Sequence, residues 1–119
     1  MSIAVILILI VALLHLGFLV LEMFLWNSIG PKIFKSLDIT LFRPTTALAA
    51  NQGLYNGFLA AGLIWSSLIR PDQATALFFL GCVIVAGLYG AATVSRKIAY
   101  VQAAPAALAV LALLIAPLP

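Results

Sequence analysis

Eight of the nine charged side chains fall in three joints: Lys32, Lys35, Asp38 and Arg43 in the first, Arg70 and Asp72 in the second, Arg96 and Lys97 in the third. Between the joints run four apolar blocks, residues 2–26, 47–69, 74–95 and 98–117. Each is close to the roughly 20 residues a helix needs to cross a hydrocarbon core. The expected fold is therefore all-α, an antiparallel bundle of four transmembrane helices making a single domain over residues 1–119.

Composition agrees with that division. The chain is 66% hydrophobic and 8% charged, where a soluble domain would be about 45–50% apolar and about 25% charged. A net charge of +3 is too sparse for a nucleic-acid surface, which takes a basic patch or stripe on a folded domain. The partners that remain are the lipid bilayer, a small-molecule ligand and further copies of the chain. The first block lacks a basic leading segment and exceeds the 7–15 apolar residues of a signal peptide's core, so it is expected to stay as a span.

The charge distribution also orients the chain. The first and third joints together hold five lysines and arginines against Arg70 alone in the second. By the positive-inside rule those two joints face the cytoplasm and both termini face the periplasm. The expected location is the bacterial cytoplasmic (inner) membrane.

Glu22 is the one charge inside a block, and His15 lies seven residues before it. That is two helical turns, one face, and about 10 Å along the axis. The second block carries Asn51, Gln52, Tyr55 and Asn56 on one arc, with Ala50, Gly53, Gly57 and Ala61 as a small-residue ridge on the other side. Gly53-x-x-x-Gly57 allows a close helix approach, and helix association in lipid depends on such packing. Counting inward from the first joint puts Glu22 at the depth of Asn51, and His15 near that of Asn56. Tyr89, Thr93 and Gln102 fall in the same half of the membrane. Glu22 is thus expected to hydrogen-bond to Gln52 or Asn51, and His15 to Asn56 or a backbone carbonyl.

An ionisable group in a span costs about 2.5–3.5 kcal/mol on insertion scales, so it calls for a reason. The reading adopted is a ligand-binding cluster of His15, Glu22, Asn51, Gln52, Tyr55 and Asn56, open to the cytoplasm and taking a small polar or amphiphilic molecule. Three other readings stand beside it: an oligomeric proton-coupled transporter, a membrane enzyme using Glu22 and His15 as acid and base, and a purely structural protein. Catalytic and metal-ligating sets are not expected. One histidine, one cysteine (Cys82) and one glutamate in a span give no zinc spacing, and no cofactor is identified by any motif. Local expectations are a short interfacial helix or else an ordinary positively charged loop around Lys32 and Lys35, a cap for the second block from Thr45 or Thr46, a cap for the third from Asp72, and a kink at Pro105.

The segments Leu21-Glu22-Met23-Phe24-Leu25-Trp26 and Asn51-Gln52-Gly53-Leu54-Tyr55-Asn56-Gly57-Phe58-Leu59-Ala60-Ala61-Gly62, with His15 ahead of them, carry a family resemblance. The chain resembles, over its whole length, the small bacterial integral membrane proteins grouped as domain of unknown function 1304. What the resemblance implies is a four-span cytoplasmic-membrane protein with no assigned activity.

Overall fold

The computed structural model describes every residue from Met1 to Pro119, and all of its regular structure is helical, without strands. The elements are α1 (Ile3–Phe24), a single turn α2 (Gly30–Ile33), α3 (Thr46–Ile64), α4 (Gln73–Thr93) and α5 (Ala104–Ile115). A π-turn, Trp65–Ile69, extends α3, and a second, Ala99–Ala103, leads into α5. Helices α1 and α4, of 22 and 21 residues, are long and apolar enough to cross a membrane. At 1.5 Å per residue the longer is about 33 Å, a match to a hydrocarbon core of about 30 Å. The other two expected spans fall short on that measure: α3 has 19 residues and carries Asn51, Gln52 and Asn56, and the apolar helix Ala99–Ile115 is shorter.

Each helix buries one narrow stripe at alternating spacings of three and four. On α1 it is Ala4, Ile8, Val11 and His15, with Val5 and Ala12 buried beside them; on α3 Ala49, Gly53, Asn56, Ala60 and Leu63; on α4 Ala76, Leu80, Val83 and Gly87; on α5 Ala106, Ala109 and Leu113. Such a stripe is a packing seam. Outside it the side chains are apolar as well, with Leu13, Phe78 and Val85 all two-thirds exposed.

The chain divides into two compact units, Met1–Leu14 with Leu59–Pro119, and His15–Phe58. In the first, Ile8, Leu63, Leu80, Val83 and Leu113 are fully buried in one core drawn from α1, α3, α4 and α5. Small residues let α4 and the last helical segment approach closely. A Cβ added at Gly87 would stand 2.8 Å from the backbone nitrogen of Ala103, and one at Gly90 would meet Ile98 at 2.9 Å. The π-turn makes both contacts possible. Ile98 and Ala103 are five residues apart, more than one α-turn, and the wider turn returns both to the α4 side. It also answers the kink expected at Pro105, since Ala104 N–H bonds to Ala99 O just before the proline interrupts the ladder. At the other end Gln73 ties the two segments: its Nε2 donates to Leu113 O at 3.1 Å, and its Oε1 accepts from Leu118 N at 3.0 Å. These pairings make α4 and α5 antiparallel.

Asp72 caps α4 as expected, accepting from Thr75 N at 2.8 Å. The Thr75 hydroxyl, which also donates to it, and the backbone N–H hold this carboxyl below its ordinary value. The expected cap on α3 is not formed. Thr46 is already the first helical residue, and its hydroxyl donates to Arg43 O at 2.8 Å instead of accepting from an N–H of the first turn.

The α4 glycines separate packing from intrinsic helix preference. Gly87→Ala should lower thermal stability in detergent by about 1–3 kcal/mol through overpacking against backbone. At Gly81 an added Cβ meets nothing within 4 Å, so Gly81→Ala should raise stability by roughly 0.5–1 kcal/mol. Melting curves of the two variants should move in opposite directions; equal shifts would contradict the close approach at Gly87.

Candidate functional site

Within the unit His15–Phe58, α1 and α3 meet at the glycine notches. A Cβ at Gly53 would stand 2.8 Å from Met23 Cγ, 3.1 Å from Glu22 Cβ and 3.2 Å from Leu19 O, and one at Gly57 would meet Leu19 Cδ1 at 2.6 Å. Leu19 and Met23 therefore lie over Gly57 and Gly53, which fixes an antiparallel register. That register differs from the one read by depth. Glu22 is bonded to Asn56, five residues further along α3 than Asn51, because the steric fit over the two glycines sets the offset. Asn56 Nδ2 donates to Glu22 Oε1 at 2.5 Å. The expected bond from Gln52 or Asn51 is not made.

The arc of polar residues on α3 is split accordingly. Asn56 shares the buried stripe with Gly53, whereas Asn51 and Tyr55 are exposed, and Tyr55 lies edge-on to Phe58 with centroids 5.9 Å apart. Gln52, also exposed, borders the same cavity as Glu22. His15 is fully buried on the α1 stripe, edge-on to Phe18 with ring centroids 5.1 Å apart, and is not part of the cavity wall. Of the six residues singled out from sequence, Glu22, Gln52 and Asn56 are brought together around one point.

The joint between α1 and α3 is a packed cap and neither an interfacial helix nor a plain charged loop. Only one helical turn forms, Gly30–Ile33, followed by two 3₁₀ turns, Ile39–Leu41 and Arg43–Thr45. Trp26 organises it. Its Nε1–H donates to Phe42 O at 3.1 Å and to Thr45 Oγ1 at 3.0 Å, and its ring lies 5.0 Å from Phe42 and 5.6 Å from Phe34. Gly30 is required beneath this cluster, since an added Cβ would stand 2.9 Å from the Phe42 ring. Asn27 Nδ2 donates to Thr46 Oγ1 at 3.0 Å and ties the ends of the joint. Asp38 opens the first 3₁₀ turn by accepting from the Thr40 hydroxyl and N–H, which together hold its carboxyl below the ordinary range. Lys32, Lys35 and Arg43 are all exposed on this cap.

Between the cap and the helices lies a cavity of about 320 Å³. Trp26, Leu37, Leu41 and Phe42 wall it from the joint, Leu48 and Ala49 from the start of α3. Glu22, Gln52 and Thr45 supply its polar atoms. The Thr45 hydroxyl is turned to Leu41 O at 2.7 Å and is engaged by the indole, so Glu22 and Gln52 are the groups left to meet an occupant. Trp26, Phe42 and the joint's part in the wall were missed by sequence reasoning. The only signal was an aromatic residue on each side of Gly30-Pro31. No group of three or more His, Cys, Asp or Glu side chains is placed to hold a metal ion.

A double-mutant cycle tests the register. Glu22→Ala combined with Asn56→Ala should destabilise by less than the sum of the two, with a coupling of about 0.5–3 kcal/mol. Glu22→Ala with Asn51→Ala should be additive. Coupling to Asn51 and none to Asn56 would restore the register read by depth.

Comparison with known proteins adds one finding. The family described as "Protein of unknown function (DUF1304)" matches residues 9–114, nearly the whole chain, and the chain belongs to that family. No curated protein and no solved structure matches it.

Proposed function

For this member of the DUF1304 family we propose a binding function: a four-span protein of the bacterial cytoplasmic membrane that holds a small amphiphilic molecule in the cavity beside Glu22. The observation that carries the reading is the cavity itself. At about 320 Å³ it lies at the small end of the range typical of ligand sites, roughly 300–1,000 Å³. Its make-up is also that of such sites, apolar and aromatic walls with a few placed polar groups.

The membrane setting is supported by the surface outside the buried stripes. Large apolar side chains are exposed along all four long helical segments, Leu13, Leu48, Phe78 and Leu114 among them, and exposed apolar side chains in that number belong against lipid. Small residues on the inner faces fit helix association in lipid, where packing replaces the hydrophobic drive. In this reading α3 with its π-turn is the second span and Ala99–Ile115 the fourth. The polar residues of α3 that lower its hydropathy are in part the ones that border the cavity.

Two measurements test these proposals separately. Alkaline phosphatase fused after Pro119 should be active and a fluorescent protein that matures only in the cytoplasm should be dark; the reverse pair would invert the topology. Mass spectrometry of the protein purified in mild detergent should find a co-purifying amphiphile. Trp26→Ala, which removes a wall of the cavity, should lose it while keeping the helical circular-dichroism spectrum. A purified protein that carries no such molecule, and in which no added amphiphile changes the melting temperature, would leave the cavity without a binding role.

A further inference from the structure

Resting on that binding reading, we infer that the cavity selects its ligand by charge, taking a substituted ammonium group joined to an apolar chain. Among its lining residues there is no lysine or arginine, and the three cations of this unit, Lys32, Lys35 and Arg43, are exposed on the cap.

The donors nearby are already committed. The indole N–H of Trp26 is bound to Phe42 O and Thr45 Oγ1, the Thr45 hydroxyl is turned to Leu41 O, and the Asn56 amide is bound to Glu22 Oε1. An anionic head group would therefore find the Gln52 amide and little else. A cation finds a carboxyl group whose one hydrogen bond inside the protein comes from a neutral amide, together with the rings of Trp26 and Phe42 in the same wall. Aromatic faces attract ammonium groups through the ring quadrupole, and a carboxylate adds a direct charge. The remaining wall, Leu37, Leu41, Leu48 and Ala49, takes an alkyl chain and offers nothing to a second polar group.

The geometry of Glu22 suits this use. Its side chain is half-buried on α1 and held by Asn56, so one oxygen is fixed and the carboxyl cannot swing away without breaking that bond. A cation arriving at the cavity meets a preset partner, which reduces the ordering cost of binding.

Such ammonium chemistry has two sources, a free alkylamine or the head group of a phospholipid, and the test separates them. The full chain with Trp65→Phe leaves Trp26 as the one tryptophan, and its fluorescence is followed in dodecyl maltoside. The probes are hexyltrimethylammonium, hexanol, hexanesulfonate and dihexanoylphosphatidylcholine. The ammonium probe should change the emission saturably and bind at least about tenfold more tightly than hexanol or hexanesulfonate. Glu22→Gln keeps a hydrogen-bonding partner for Asn56 and should remove that preference while hexanol binding is unchanged. The tighter of the two ammonium-bearing probes names the source. Equal affinity for hexanol and the ammonium probe, or tighter binding of hexanesulfonate, overturns the charge selection while leaving the cavity a binding site. No saturable response to any probe overturns both. The comparison among probes on the unsubstituted Glu22 chain decides the matter even where Glu22→Gln does not fold.

Discussion

Two missing side chains set the position of everything near the cavity. At Gly53 and Gly57 the absence of a Cβ lets Leu19 and Met23 of α1 settle against the α3 backbone, and close contact of this kind gains dispersion energy along the seam. Because two notches four residues apart accept two side chains four residues apart, the fit has a single offset. Asn56 then falls opposite Glu22, and Gln52 and Ala49 come to border the space under the joint. The hydrogen bond between Glu22 and Asn56 is a consequence of this register, though it also penalises any slip, since a displaced carboxyl would be left in apolar surroundings.

The joint depends on a second constraint, one indole. Trp26 satisfies Phe42 O and Thr45 Oγ1 with a single N–H and spreads its ring against two phenylalanines. A connection containing two prolines and three basic residues would otherwise be an open loop. Held this way, it becomes a wall, with Phe42 and Leu41 bordering the cavity on one side and Leu48 and Ala49 of α3 on the other.

What could be read from the sequence was what depends on local order. The helical blocks, the Asp72 cap and the disturbance at Pro105 all follow from neighbours within a few positions. The Gly53-x-x-x-Gly57 approach was also legible, because it needs no knowledge of the partner. The register was not. Depth counted from the ends of the blocks assumes that the helices start level, and steric fit at the glycines overrides that. Polarity likewise misplaced Asn51 and Tyr55: an arc broad enough to hold four polar residues extends past the contact face, and only the buried stripe tells Asn56 from its neighbours. Trp26 reads from sequence as an interfacial anchor closing the first block; its part in the joint was not legible because its partners, Phe42 and Thr45, are 16 and 19 residues away, and because alternating lysine and apolar residues in the joint suggested an interfacial helix.

The narrow buried stripe on each helix has a consequence for how such a chain can vary. Only about one position in three or four on each helix faces protein, and those positions are largely alanine, glycine and valine, which leave little room for exchange in either direction. Flanking residues such as Leu7, Leu19, Met23 and Phe79 pack against those seams, whereas the outward positions, Leu13, Val85 and Leu114 among them, have little packing to distinguish leucine from isoleucine, phenylalanine or valine. Over generations the outward positions are free to drift within the apolar class, so two chains with the same seams can share few identical residues. α4 and α5, with no polar residue in their seams, would lose a recognisable sequence first, while Glu22, Trp26, Gly53, Asn56 and Gly57 would be the last places where kinship could still be seen.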